Sequence, residues 1–84
     1  MVLYFITFRS VTFAQRGEKL LTQKNFRVNL MRTPRWMEEQ GCGYALKLWS
    51  NEIQYPLQLL QEKKVQLRRV YAQREDGTME EVKL

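Results

Sequence analysis

The 84-residue sequence predicts one α+β domain of order β-α-β-β-α-β, an antiparallel sheet with two helices on one face. Three observations carry that expectation. Runs rich in β-branched and aromatic residues alternate with two stretches whose apolar residues recur at helical spacing, so the side-chain period switches along the chain. Hydroxyl, amide, proline and glycine residues stand between the runs, where caps and turns are needed. The length suits a single compact core, because a chain of this size buries only about 60–65% of the surface its unfolded form exposes.

The first strand is Val2-Leu3-Tyr4-Phe5-Ile6-Thr7-Phe8, apolar on both sides as a central strand is when both its faces are covered. Ser10 or Thr12 then caps a helix, and Thr12 with Gln15 has capping-box spacing. Phe13, Gly17, Leu20 and Leu21 form the buried stripe of that helix, which runs to about Lys24 and stops at Asn25. Arg27-Val28-Asn29-Leu30-Met31 alternates as a half-buried second strand and ends before Thr33-Pro34, where proline denies a ladder donor. After a loop, Tyr44-Ala45-Leu46-Lys47-Leu48-Trp49 is the third strand, with Cys42, Tyr44, Leu46 and Leu48 on one side.

Ser50, Asn51 and Glu52 supply the next cap, and Ile53, Leu57 and Leu60 share one stripe of a second helix. Pro56 is compatible with it only in the first turn, so this helix begins near Tyr55. Val65 to Gln73 reads as the fourth strand. Asp76-Gly77 is a turn dipeptide with Met79-Glu80-Glu81-Val82 beyond it, giving a hairpin arm or a frayed tail. Residues 1–73 are thus expected to form one domain and 74–84 a C-terminal extension. This order is the split βαβ, or ferredoxin-like, pattern, with sheet order 4-1-3-2.

That topology has a consequence for the one cysteine in the chain, Cys42. The end of the first strand, the start of the first helix and the loop between strands two and three meet at one edge. Cys42 is therefore expected near Arg9, Ser10 and the helix N-terminus, where unpaired amides and the helix dipole can bring a thiol pKa down to about 3.5–7.5. Arg9, Arg32 and Arg35 add to that field. Gly41 and Gly43 flank the cysteine, and the absence of their β-carbons allows close approach to a bound group. Against this stands the ordinary behaviour of free cysteine, a small and usually buried hydrophobe.

Other chemistry is poorly supplied. The sequence has no histidine, which removes a Cys/His nucleophile pair and a His-bearing metal site, and one cysteine cannot make an internal disulfide. Glu38-Glu39 and Glu80-Glu81 are adjacent rather than opposed carboxylates, and the four glycines at 17, 41, 43 and 77 do not form a phosphate loop. A carrier or binding protein is expected rather than a classical enzyme, with no metal and no cofactor. Fourteen Lys and Arg against nine Asp and Glu give a net charge of +5, spread along the chain rather than concentrated in one block. The longest apolar run, Val2 to Phe8, is far short of the ~20 residues that span a bilayer, and no leader-like pattern precedes it. Cytoplasm is the expected location.

Several of these residues together resemble a family. Tyr4-Phe5-Ile6-Thr7-Phe8 with Ser10, Glu18 and Leu21, then Leu30 with Thr33-Pro34-Arg35, then Cys42-Gly43-Tyr44-Ala45-Leu46, are similar to the small bacterial selenium/sulfur carrier protein-like family. The similarity covers roughly Leu3 to Tyr71, and its most specific parts are Thr33-Pro34-Arg35 and Cys42-Gly43 at their mutual spacing. The resemblance implies that Cys42 takes up sulfur or selenium as a persulfide-type adduct and passes it between donor and acceptor proteins. Two departures stand out. Gln40-Gly41 occupies the place of small hydroxyl residues, and the chain continues past Tyr71 into an acidic extension.

Two other readings share the element order. RNA-recognition motifs stack bases on aromatics of strands one and three, and Gly41-Cys42-Gly43-Tyr44 with Tyr4 loosely resembles their signature. Gln40, Cys42 and Lys47 depart from it, each replacing a basic or stacking residue. A non-catalytic interaction domain is the other reading, a homodimer through aromatics left exposed on the open sheet face. Trp36 and Trp49 suit packing or an interface better than substrate contact.

Overall fold

Strand β1, Val2–Phe8, sits at the centre of the sheet because its side chains are apolar on both faces, and every residue from Tyr4 to Phe8 is buried. A computed structural model describes residues 1–34 and 43–84. In these the remaining elements are α1 (Val11–Gln23), β2 (Arg27–Arg32), β3 (Tyr44–Ser50), α2 (Gln54–Glu62), β4 (Val70–Gln73) and β5 (Met79–Val82). The described strands form one sheet of order β2-β3-β1-β4-β5, antiparallel throughout. The expected class, α+β with two helices, is observed, but the six-element pattern is not matched in full because residues 79–82 add a fifth strand beside β4.

The two faces of the sheet are unequal. Tyr4, Ile6, Phe8, Leu46 and Leu48 point to the same side as Ala14 and Leu21 of α1 and Leu59 and Leu60 of α2, forming the main core. Gly17 lies at the tightest point of that contact, where a β-carbon would come within 3.2 Å of Leu46 and 3.3 Å of Leu60 and Phe8. The absent side chain is what lets α1 approach the sheet so closely. On the opposite side Phe5 and Tyr71 are packed by Leu3, Met31 and Met79, a smaller cluster of adaptable side chains.

The ends of the helices follow local chemistry, with some differences from expectation. Ser10, rather than Thr12, is the N-cap of α1; its hydroxyl accepts from the Thr12 N–H at 3.1 Å, so α1 starts earlier than its apolar stripe suggests. Asn25 ends that helix in the left-handed region at φ 68°, with its N–H donating to Thr22 O at 3.0 Å. Pro56 is the third residue of α2, inside the first turn, where its missing N–H costs nothing. Strand β4 is shorter than Val65 to Gln73. Residues 64–65 close the end of α2 through Lys64 at φ 57° and the Val65 N–H to Leu60 O bond at 2.9 Å, so the regular ladder begins only at Val70.

The β4–β5 hairpin turns at Gly77, φ 88°, a backbone conformation that favours glycine. Asp76 Oδ1 accepts from the Thr78 hydroxyl at 2.7 Å and the Thr78 N–H at 3.0 Å, and the side-chain bond chiefly holds its carboxyl below the ordinary range. A depressed folded-state pKa stabilises the hairpin above the carboxyl's ordinary value and loses that contribution as pH falls through the lowered one. Amide exchange of β5 should therefore accelerate as pH is lowered through and below the usual carboxylate range, once corrected for intrinsic rates. In Asp76→Asn this step should vanish.

Candidate functional site at the arginine-rich end of the sheet

Strand register decides which strand ends meet at this edge. Phe8 of β1 and Arg32 of β2 both pair with Tyr44, the first residue of β3, so three strand ends share one edge of the sheet. Thr33, just past β2, donates its N–H to Gly43 O at 3.1 Å, which ties the chain on the two sides of the intervening segment together. The expectations for Arg35, Gly41 and Cys42 concern positions outside the described residues. Gly43, the chain neighbour of Cys42, is described and lies at this edge.

Arg9 follows β1 directly and Ser10 is the cap of α1. With Phe13, Gln66, Leu67 and Arg68 they line a cavity of ≈ 330 Å³, and no carboxylate among the described residues lines it. Arg68 is held by its backbone, its N–H donating to Thr7 O at 2.7 Å, while Thr7 N–H donates to Arg69 O at 2.8 Å. The Thr7 hydroxyl also accepts from the Arg69 N–H at 3.0 Å, so its buried oxygen is satisfied. Arg32 holds its guanidinium 6.0 Å from the Tyr44 ring centre. Arg9, Arg32 and Arg68 thus carry positive charge to one end of the sheet, beside the N-terminal end of α1. Such an arrangement favours an anion. Sequence reasoning did not single out Arg68; its only signal was the one Arg-Arg pair in the chain, Arg68-Arg69.

Among the described residues, one buried side-chain polar atom at this edge has no partner. The Thr33 hydroxyl oxygen is buried and makes no hydrogen bond. An orphaned hydroxyl costs about 1–3 kcal/mol of desolvation, and an apolar replacement of the same shape removes that cost. Thr33→Val should accordingly leave stability unchanged or raise it by about 1 kcal/mol, read from chemical denaturation. A loss of stability would mean that the hydroxyl has a partner after all.

The other candidate surfaces are less well served. Tyr4 and Tyr44, the rings assigned to base stacking, pack with the helix-side core, and Tyr4 is only 8% exposed. On the open face Phe5 and Tyr71 are 5% and 8% exposed, with the Lys47 ammonium 5.9 Å from the Phe5 ring. Among the described residues the large exposed apolar side chains are Met1, Val11, Tyr55 and Leu84, none of them in that cluster. The exposed aromatic patch expected to drive a homodimer is therefore not found among them. No described helix is long and apolar enough to cross a membrane, and the described residues hold no group of three potential metal ligands.

The fold and this edge define a class: a small α+β domain whose sheet gathers arginines and a helix N-terminus where the cysteine-bearing segment joins β3. The chain belongs to the family described as Putative Se/S carrier protein-like, whose model matches residues 3–72. Neither the curated proteins nor the solved structures gave a match.

Proposed function

We propose that this protein carries sulfur or selenium on Cys42, accepting it from a donor protein and delivering it to an acceptor. The observation that carries the reading is the family match, which runs through Cys42 and covers residues 3–72. The chemistry is thiolate exchange at a sulfane atom. The Cys42 thiolate attacks the outer sulfur of a donor persulfide, R–S–SH; a new S–S bond forms to Cys42, the donor S–S bond breaks, and the donor leaves as R–S⁻. No net oxidant is consumed, and delivery is the same exchange with an acceptor thiolate attacking. A donor of the form R–S–SeH passes selenium in the same way.

The residues around the edge support each part of this cycle. Arg9, Arg32 and Arg35, with the α1 amides, favour the anionic thiolate and the anionic adduct over their neutral forms. Gly41 and Gly43 leave room for a donor to approach in line with the sulfur. Arg35 takes its role from the Thr33-Pro34-Arg35 match to the family pattern, while Arg9 takes its role from position. The first test is the pH dependence of Cys42 alkylation in the native protein, with an unfolded control. A fast reaction with a midpoint clearly below the ~8.5 of a free thiol is expected. Protection that persists until unfolding would make Cys42 a packing residue and remove the proposal.

A further inference from the structure

On the β4 side of β1, the arginine-rich end of the sheet continues into an apolar groove that the sulfur chemistry itself does not use. Leu57 of α2, Val65 and Leu67 beyond it and Leu84 after β5 line a space of ≈ 640 Å³ together with Lys64. Gln66 and Leu67 also line the cavity that holds Arg9, Ser10 and Arg68, so the two spaces share a wall. Strand pairing sets both at the end of the sheet where the cysteine-bearing segment joins β3. Arg9 follows Phe8, which pairs with Tyr44 of β3, while Thr7 bonds to Arg68 and Arg69 on the other side. Strand β5 runs back towards this end, Val82 pairing with Val70, and Leu84 follows.

Backbone hydrogen bonds hold the groove in shape. The Lys64 N–H donates to Gln61 O at 3.0 Å and the Val65 N–H to Leu60 O at 2.9 Å, which fixes the exit from α2. The Arg68 N–H donates to Thr7 O at 2.7 Å and anchors the far end of this segment to β1. Across the helices, the Arg16 guanidinium donates to Lys63 O at 3.4 Å. Walls fixed in this way need little reorganisation on binding.

Apolar surface and charge together define the occupant. Among the described residues, two of the four large exposed apolar side chains belong to this end: Leu84, 74% exposed, lines the groove, and Val11, 37% exposed, follows Ser10 in the chain. Exposed apolar side chains gathered at one place mark an interaction site. Both spaces carry cations, Lys64 in one and Arg9 and Arg68 in the other, and no carboxylate side chain of a described residue lines either. A small amphiphile with a single anionic head uses only one of these cationic positions. A chain with carboxylates spaced between leucine-like side chains meets both, and its charge complements theirs. We infer that this groove docks an acidic, leucine-bearing segment of a partner protein that exchanges sulfur with Cys42. The partner's role rests on the carrier reading; the binding chemistry does not. Docking here holds the partner's sulfur at the strand ends beside which the cysteine-bearing segment joins β3, and so raises the effective concentration of one sulfur near the other.

Amide chemical-shift mapping on the native chain tests this with a blocked, sulfur-free peptide of leucine and glutamate, so that binding is read without transfer. Shifts centred on residues 57–68 and Leu84, extending to Arg9 and Ser10, are expected. The same peptide with alanine for leucine, or glutamine for glutamate, should bind about threefold more weakly or worse, and added salt should weaken the parent peptide but not its glutamine form. Lys64→Gly removes a cation where φ 57° suits glycine, so the fold should be kept while peptide affinity falls about two- to fivefold. Leu84→Ser, at an exposed position, should lower it about threefold or more. Decanoate that outcompetes the peptide would assign the groove to a small amphiphile, and shifts that grow with protein concentration alone would assign it to a second copy. Either result overturns the inference, as does absence of shifts at millimolar peptide or full affinity in both variants. Any of these leaves the carrier reading standing, which falls instead if Cys42 takes up no sulfur from a low-molecular-weight persulfide.

Discussion

Cys42→Ser is expected to abolish sulfur or selenium uptake while leaving the fold intact. The step needs a soft, ionised nucleophile at neutral pH, and a serine hydroxyl is neither. No other residue can substitute, because the chain has a single cysteine and no histidine. Incubation with a low-molecular-weight persulfide followed by intact-mass analysis should show an adduct on the native chain and none on the variant. Denaturation midpoints of the two should agree closely. The contrary pattern is informative: a stability loss of about 1 kcal/mol or more would place the thiol in a packed site where a hydroxyl finds no partner. Loss of uptake would then be a by-product of unfolding.

Phe8→Ala should have the largest effect on stability. Phe8 is fully buried, its ring reaches the bare backbone of Gly17 in α1, and its backbone pairs with Tyr44 at the start of β3. Truncating a buried phenylalanine costs about 3–5 kcal/mol through lost burial and the cavity left behind. A domain of this size is stable by only about 4–13 kcal/mol in all, so the variant should populate unfolded chains under mild denaturant. Phe8→Leu, which retains much of the volume, should cost far less and keep uptake near the native level. If Phe8→Ala lowered stability by under about 1 kcal/mol, the packing of α1 against the sheet through Gly17 would be wrong.

The sheet was legible in the sequence where residue pattern and position in the sheet reinforce each other. Val2 to Phe8 is apolar on both faces and is the central strand, with the bounds expected. Tyr44 onward alternates, with Leu46 and Leu48 inward, and Asn25 stops α1 in the left-handed conformation that asparagine tolerates. The neighbours of β1 followed from topology, with β3 on one side and β4 on the other, both antiparallel. What failed was set by interactions distant in sequence. Val65 to Arg69 looks like strand, yet Val65 closes the exit from α2, and Arg68 and Arg69 both bond to Thr7 as two residues opposite one, which interrupts the regular ladder beside β1. The open-face aromatics looked exposed because periodicity marks a face without saying what long side chains fold over it, and Met31, Met79 and Lys47 cover Phe5 and Tyr71. The orphan hydroxyl of Thr33 and the Arg27–Trp49 stack have no sequence signal at all, since both depend on three-dimensional geometry.

The most direct test of the carrier reading is a transfer measurement on the native protein: loading with a persulfide donor, removal of excess donor, then challenge with a thiol acceptor, each step followed by intact mass and peptide mapping. The expected result is one sulfur atom gained at Cys42 and lost again to the acceptor, with the acceptor gaining it. A thiol that alkylates readily yet forms no sulfur adduct, or an adduct that no acceptor thiol can remove, would contradict it.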